Sequence, residues 1–327
     1  MRTVGKKILI GAVVFNLGLV LVTLALSKQA EIAHPMEGVL VNLDGTNMHV
    51  IKSAPRADDK QKEAAHDAMV LIHGASTSAL DFKSNLLPEL SDRHTVLAID
   101  RPGHGYSERS ARPDMHHPSQ QAGLILDTLA KLNIERPVLI GHSWAGSVVL
   151  AALLLNHPTV DPAAGVLIAG ESHPYESEDS TPTKLALAPY FGPIFRYEYL
   201  TPVGRMAIEP TVESYFAPDR VPENYIDDTG LHLSLRPDTY LYNARDRSRL
   251  GEHLVDQSKL YPSLETPLLS IAASGDHVVP PSDHHDMLLE DVPTATAVAI
   301  EGAGHSPHHT RTDEVVEAIE SFVDELR

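Results

Sequence analysis

The sequence predicts an α/β fold, a mostly parallel twisted sheet with helices on both faces. Three observations predict it. Short apolar runs recur at 68–72, 95–99, 137–140, 164–169, 268–272 and 295–300, with amphipathic helical segments between several of them. These runs are almost wholly apolar rather than alternating, as a sheet buried on both faces requires. Polar signatures follow most of the runs directly, and loops at the carboxyl ends of parallel strands are where such folds gather function.

Taken in order, residues 8–26 carry no charge. A helix of that length, at ~1.5 Å per residue, just crosses a hydrocarbon core of about 30 Å. Arg2, Lys6 and Lys7 precede it and only Lys28 follows closely. The excess of positive charge before the helix places the N-terminus in the cytoplasm and the remaining chain on the far side. Residues 1–29 are therefore expected to be an uncleaved membrane anchor, with 27–35 a short tether. The rival is a secretory signal cleaved near Ala25-Leu26-Ser27, and the apolar run exceeds the ~7–15 residues usual for one. Residues 37–51 alternate around Asp44-Gly45 and predict a hairpin. Residues 54–67 read as an exposed loop. Helices are expected over 78–90, 121–132 and 315–326, the last two from apolar spacing at 122, 125, 126, 129, 132 and at 316, 319, 322, 323, 326.

Residues 173–262 break the alternation. Nine of the ten Tyr and three of the six Phe lie there. The segment reads as short helices and loops, a lid inserted into a core formed by 30–172 and 263–327. Its rings would serve its own packing and line an apolar acyl pocket.

Composition narrows the function. Lys and Arg total 26 against 44 Asp and Glu, a net charge of −18, which argues against a broad basic face for nucleic acid. The absence of cysteine excludes disulfides, thiolate nucleophiles and Cys-based metal sites. Three adjacent histidine pairs, 116–117, 284–285 and 308–309, are expected to be exposed, and neither a metal nor a cofactor is expected.

The chemistry centres on Gly141-His142-Ser143-Trp144-Ala145-Gly146, between an apolar strand and an apolar helix. A serine on such a tight turn presents its hydroxyl beside the free N–H groups of a helix N-terminus. A nucleophile and oxyanion donors are what attack on a carbonyl needs. A serine hydroxyl also needs a base, and the base an orienting acid. Asp276 follows the strand at 268–272, and His305 the strand at 295–300. Glu171, after the strand at 164–169, is the rival acid. Asp100 reads as a turn support and His73 as a local hydrogen-bonding group.

In order Ser…Asp…His, with HGAS at 73–76, DRPGHGYS at 100–107, GHSWAG at 141–146, SGDHVVPP at 274–281 and GAGHS at 302–306, the chain resembles the α/β-hydrolase superfamily over residues 37–327. The resemblance implies Ser143 as nucleophile, His305 as general base and Asp276 as its orienting partner. It implies backbone N–H groups of Ala75 and Trp144 as the oxyanion hole, and no cofactor. The expected activity is hydrolysis of small-molecule carboxylic esters with apolar acyl groups. Carbon–carbon bond hydrolysis, cofactor-free perhydrolysis and acyl transfer use the same triad, and a non-catalytic ligand-binding protein could retain the fold.

Overall fold

The computed structural model describes residues 2–54, 66–176 and 178–326. Eight strands form one sheet: β1 (Val39–Leu43), β2 (Thr46–Ser53), β3 (Ala68–Ile72), β4 (Val96–Ile99), β5 (Pro137–His142), β6 (Ala164–Ile168), β7 (Leu268–Ala273) and β8 (Ala295–Ile300). Their order is β1-β2-β4-β3-β5-β6-β7-β8. β2 pairs antiparallel with both β1 and β4, and every other pairing is parallel. The β1–β2 turn uses positive φ at both Asp44 (49°) and Gly45 (97°), the geometry that matches strand twist in a two-residue hairpin. Most of the expected loop at 54–67 lies outside the described residues.

The six helices that matter here are α1 (Arg2–Ala33), α2 (Pro118–Lys131), α3 (Ala145–Leu154), α4 (Thr201–Phe216), α5 (Pro237–Gln257) and α6 (Thr312–Glu325). Because side chains alternate along a strand, β3 sends Val70 and Ile72 to one core and Met69 and Leu71 to the other. The first core packs against α2 and α3 through Leu124, Leu129, Val148 and Val149. The second packs against α6 through Ile319 and Val323. Each such buried aliphatic side chain contributes about 1.5–3 kcal/mol, so the central strands cannot shift register cheaply. β8 is an edge strand with several residues exposed. Its partial exposure departs from the apolar character of its sequence.

Residues 78–90 are not one helix. A 3-10 turn, Ala79–Phe82, stops, and a short helix, Leu86–Ser91, restarts. Ser78 and Asn85 each cap a start, accepting from Leu80 N–H and Leu86 N–H. The break turns Asp81 inward.

Between β6 and β7 the chain is helical: Thr181–Leu187, Gly192–Ile194 running into a wide turn at Phe195–Leu200, α4, Tyr225–Asp228, Leu231–Leu235, α5 and Ser258–Ser263. α1 is one continuous helix, so the expected tether is a helix through Ala33 rather than a loop. Its Leu9–Ala33 stretch is long and apolar enough to cross a membrane, by length and composition. The C-terminal part of this helix docks on the β6–β7 insert. Thr23 and Ala30 are buried. Arg205 donates to Leu26 O (2.9 Å) and Gln29 Oε1 (3.0 Å), and Arg236 pairs with Glu31 (3.4 Å).

Candidate active site

β5 ends in a turn too tight for a side chain at Gly141 or Gly146. A Cβ on Gly141 would lie 2.6 Å from Ala145 O, and one on Gly146 2.8 Å from the Gly170 Cα. Ala145, where a second glycine is usual, is fully buried without difficulty. Ser143, at the tip, has φ 54°, a left-handed conformation that costs an L-residue roughly 1–2 kcal/mol. The turn is held by Ser143 N–H donating to Ile168 O (3.0 Å), and by Gly146 and Glu171 N–H donating to Ser143 O (2.9 and 3.0 Å).

The loops after β7 and β8 bring the distant acid and base to this serine. His305 Nε2 lies 2.9 Å from Ser143 Oγ, and His305 Nδ1 lies 2.8 Å from Asp276 Oδ2. The other Asp276 oxygen accepts from Val278 N–H (2.7 Å) and Val279 N–H (3.0 Å), which fixes the carboxylate. Two contacts hold the His305 loop: His142 Nε2 lies 2.9 Å from His305 O, and Gly304 N–H donates to Asp219 (3.0 Å). Glu171 instead accepts from the Tyr175 hydroxyl (2.6 Å). The chain therefore places Asp276, not Glu171, against the imidazole.

Ala75 N–H and Trp144 N–H donate to no described residue. Both are available to a developing negative charge on an oxygen. Gly74 sits so close to Ser143 that a Cβ there would lie 3.0 Å from the Ser143 Cβ. His73 is fully buried and bonds locally, Nδ1 to Gly74 O (2.9 Å) and Nε2 from Arg101 N–H (3.0 Å). Asp100 supports its turn, accepting from Ala79 and Tyr106 N–H (2.7 Å each).

Arg101, inside the DRPGHGYS motif, was not singled out by the sequence. It is fully buried and anchors both sides of this pocket. Its guanidinium donates to His73 O, Gly74 O and Gln121 (3.0 Å each) and to Asp246 on α5 (3.1 Å), and stacks 4.2 Å above the Trp144 ring. Asn243, one turn earlier on α5, takes Ser76 N–H (2.8 Å) and donates to Ser76 Oγ (2.9 Å). The insert is thus pinned to the 73–76 loop. Replacing Arg101 by Met strips two buried carbonyls of their donor and removes a charge facing Asp246, and is expected to cost about 3–5 kcal/mol of stability. Urea unfolding of the full chain checks this; a loss below about 1 kcal/mol would contradict the anchoring role.

The histidine pairs are not simply exposed. His284 and His308 are buried, the latter completely. His308 Nε2 lies 3.3 Å from Asp81 Oδ2, and His309 Nε2 3.0 Å from Asp81 Oδ1. Among the described residues, Asp81, His308 and His309 are the group whose atoms could hold a metal ion. Their mutual hydrogen bonds already account for the arrangement, and the imidazoles hold the Asp81 carboxyl well below its usual range against the opposing effect of burial.

Burial lowers ten histidines, among them His73, His253, His284 and His308 to about 4, and the fully buried His104 and His142 well below the usual imidazole value. In the unfolded chain each would take a proton near pH 6.5. Between about pH 6.5 and 4 the unfolded state therefore binds more protons, and stability falls as pH drops through that window. His49 runs the other way: Asp100, 2.6 Å from its Nδ1, more than offsets burial and raises it. One group is set against ten, so melting of the full chain should drop markedly from pH 7 to pH 5; a constant melting temperature would contradict the buried, neutral imidazoles.

Ser143 and His305 open into a cavity of about 460 Å³, within the range of small-molecule sites. One wall is apolar, with Phe195, Leu200, Val203, Ile208, Val212 and Leu235. Most of these come from the wide turn and α4, the elements that pack on α1.

The chain belongs to the alpha/beta hydrolase family, whose model matches residues 69–318. It is 25% identical over 274 residues to the esterase YbfF of Escherichia coli strain K12, covering 83% of this chain and 98% of that one. It is 25% identical over 286 residues to the uncharacterized hydrolase YugF of Bacillus subtilis strain 168, covering 86% and 96%. The fold matches that of a membrane phospholipase A described as a bacterial virulence factor, with TM-score 0.66 and 17% identity over 100% of this chain and 99% of that one. It also matches the enol-lactonase of Burkholderia xenovorans LB400, with TM-score 0.68 and 18% identity over 88% and 100%. The protein is an enzyme of the α/β-hydrolase class, with a small molecule as substrate.

Proposed function

We propose that the protein is a membrane-anchored serine hydrolase that cleaves carboxylic esters of apolar acyl groups through an acyl-enzyme. The carrying observation is the relay Ser143 Oγ–His305 Nε2 (2.9 Å) and His305 Nδ1–Asp276 (2.8 Å). His305 removes the hydroxyl proton as Ser143 Oγ bonds to the ester carbonyl carbon. The carbonyl oxygen gathers negative charge and rests on Ala75 and Trp144 N–H. Collapse breaks the bond to the alcohol oxygen, which leaves with the proton from His305. A water then repeats the sequence: it gives a proton to His305, attacks the acyl carbon, and releases the acid and Ser143.

The insert 173–262 is the lid in this reading, its apolar cavity wall the acyl site. The esterase among the curated relatives supports the reaction class, and the fold shared with a membrane phospholipase over the whole chain is compatible with an anchored enzyme. The insert's residues Tyr190, Phe191, Ile194, Val203 and Met206 are exposed, and α1 packs on α4, which carries the last two. That continuity of apolar surface suits a lid resting on the bilayer. The charge pattern around α1 supports a hydrolase part on the non-cytoplasmic side.

The test is hydrolysis of a 4-nitrophenyl ester series of rising acyl length by the full chain in detergent, beside Ser143→Ala. Turnover that rises with acyl length and vanishes in the variant is expected. Turnover that persists in Ser143→Ala would overturn the assignment.

A further inference from the structure

The cavity lining also carries an arginine with no hydrogen-bond or ion-pair partner among the described residues. Along α5, Tyr240, Asn243 and Arg247 lie on one face and all line the cavity. Tyr240 packs there and Asn243 is spent on Ser76. Arg247 makes no hydrogen bond and no ion pair to any described residue, yet it is exposed and lines the cavity that holds Ser143 and His305. Its neighbours on the same helix show what a settled side chain looks like here. Asp246 is taken by both Arg101 (3.1 Å) and Arg109 (2.7 Å), and Arg249, facing outward, pairs with Glu252 (2.8 Å).

Among the lining residues Arg247 is the one lysine or arginine, and Glu171 the one carboxylate. Glu171 is close enough to feel the guanidinium but is bonded to the Tyr175 hydroxyl. Burial pushes its carboxyl up, against the lowering effects of Tyr175 and Arg247, so it is an incomplete counter-charge. A guanidinium stays protonated throughout the working pH range and offers a planar fork of donors suited to a carboxylate or a phosphate. In a chain of net charge −18, a lone unpaired cation inside the site is a recognition element rather than a general attraction for anions.

We propose that Arg247 is a specificity residue that receives an anionic group, a phosphate or carboxylate, on the ester substrate. This rests on the serine-hydrolase reading and deepens it. The substrate class becomes an ester with an apolar acyl chain along Phe195, Leu200, Val203 and Ile208, and an acidic group reaching α5. The anion and the scissile ester share one cavity, so binding at Arg247 helps fix the carbonyl at Ser143.

The experiment uses the full chain in detergent and two matched substrate pairs. 1-Octanoylglycerol against 1-octanoylglycerol 3-phosphate places the anion on the alcohol side. Methyl octanoate against monomethyl octanedioate places it on the acyl side. In the unaltered chain, kcat/KM is expected to favour the anionic member of one pair by tenfold to a hundredfold, the size of a charge-assisted contact. The pair that shows the preference identifies the side and the anion. Arg247→Gln should erase the preference while kcat/KM for the neutral member stays within about threefold, and Arg247→Lys should keep part of it. Glu171→Gln should increase the preference by removing the competing charge.

No preference in either pair, or a preference untouched by Arg247→Gln, overturns the proposal. So does an equal fall on both members of a pair, which marks a structural arginine. Failure of the underlying reading looks different: hydrolysis of the neutral esters would then survive Ser143→Ala.

Discussion

Replacing Ser143 by alanine should lower kcat by about 10⁶-fold, the scale seen when the nucleophile of a serine relay is removed. The loss is chemical rather than structural. The Ser143 hydroxyl touches His305, while the elbow is held by backbone bonds to Ile168, Gly146 and Glu171 that alanine keeps. The left-handed φ of 54° strains alanine no more than serine. Melting of the variant should therefore match the unaltered chain, and a fluorophosphonate probe should label only the latter. A labelled alanine variant would place the nucleophile elsewhere.

Asp276→Asn is expected to cost about 10⁴-fold in kcat, a loss measured for the equivalent change in another serine hydrolase. The hydrogen bonds around Asp276 explain why so small a change matters. One carboxylate oxygen already accepts from Val278 and Val279 N–H, so the asparagine oxygen must stay there. Its NH₂ then faces His305 Nδ1, where the carboxylate oxygen was. Only the tautomer with the proton on Nε2 accepts that bond, and that tautomer points N–H at Ser143 and cannot take its proton. The fold should be unaffected, since every backbone bond survives. A variant retaining more than about a tenth of the activity would show that the imidazole is oriented by something else.

Much of this architecture was legible in the sequence. Runs such as 68–72 and 137–140 announce central strands because burial on both faces leaves no polar position. The Ser143, Asp276 and His305 loops were legible because each follows such a run. What was hidden depends on contacts between distant parts. Residues 27–33 are polar and read as a tether; they are helical because Ala30, Gln29 and Glu31 have partners on the insert that no local pattern reveals. The 78–90 segment has helical composition, but the caps at Ser78 and Asn85 divide it and direct Asp81 to histidines more than two hundred residues away. Adjacent histidines read as surface for the same reason. Arg101 and Arg247 look alike in sequence, and only the surrounding structure separates a saturated anchor from an open one.

The clamp between α1 and the insert has a practical consequence. An enzyme hung from a bilayer on a loose leash could roam, and could be cut free without harm. Here Arg205 and Arg236 grip the end of α1 itself, so in the proposed anchored enzyme the hydrolase part would be held at a set heading to the bilayer rather than tethered loosely. Trimming the chain at residue 35 would leave Arg205 without its partners and a strip of apolar insert bare to water. A truncated version would be an altered protein, and its substrate preferences need not be those of the full chain.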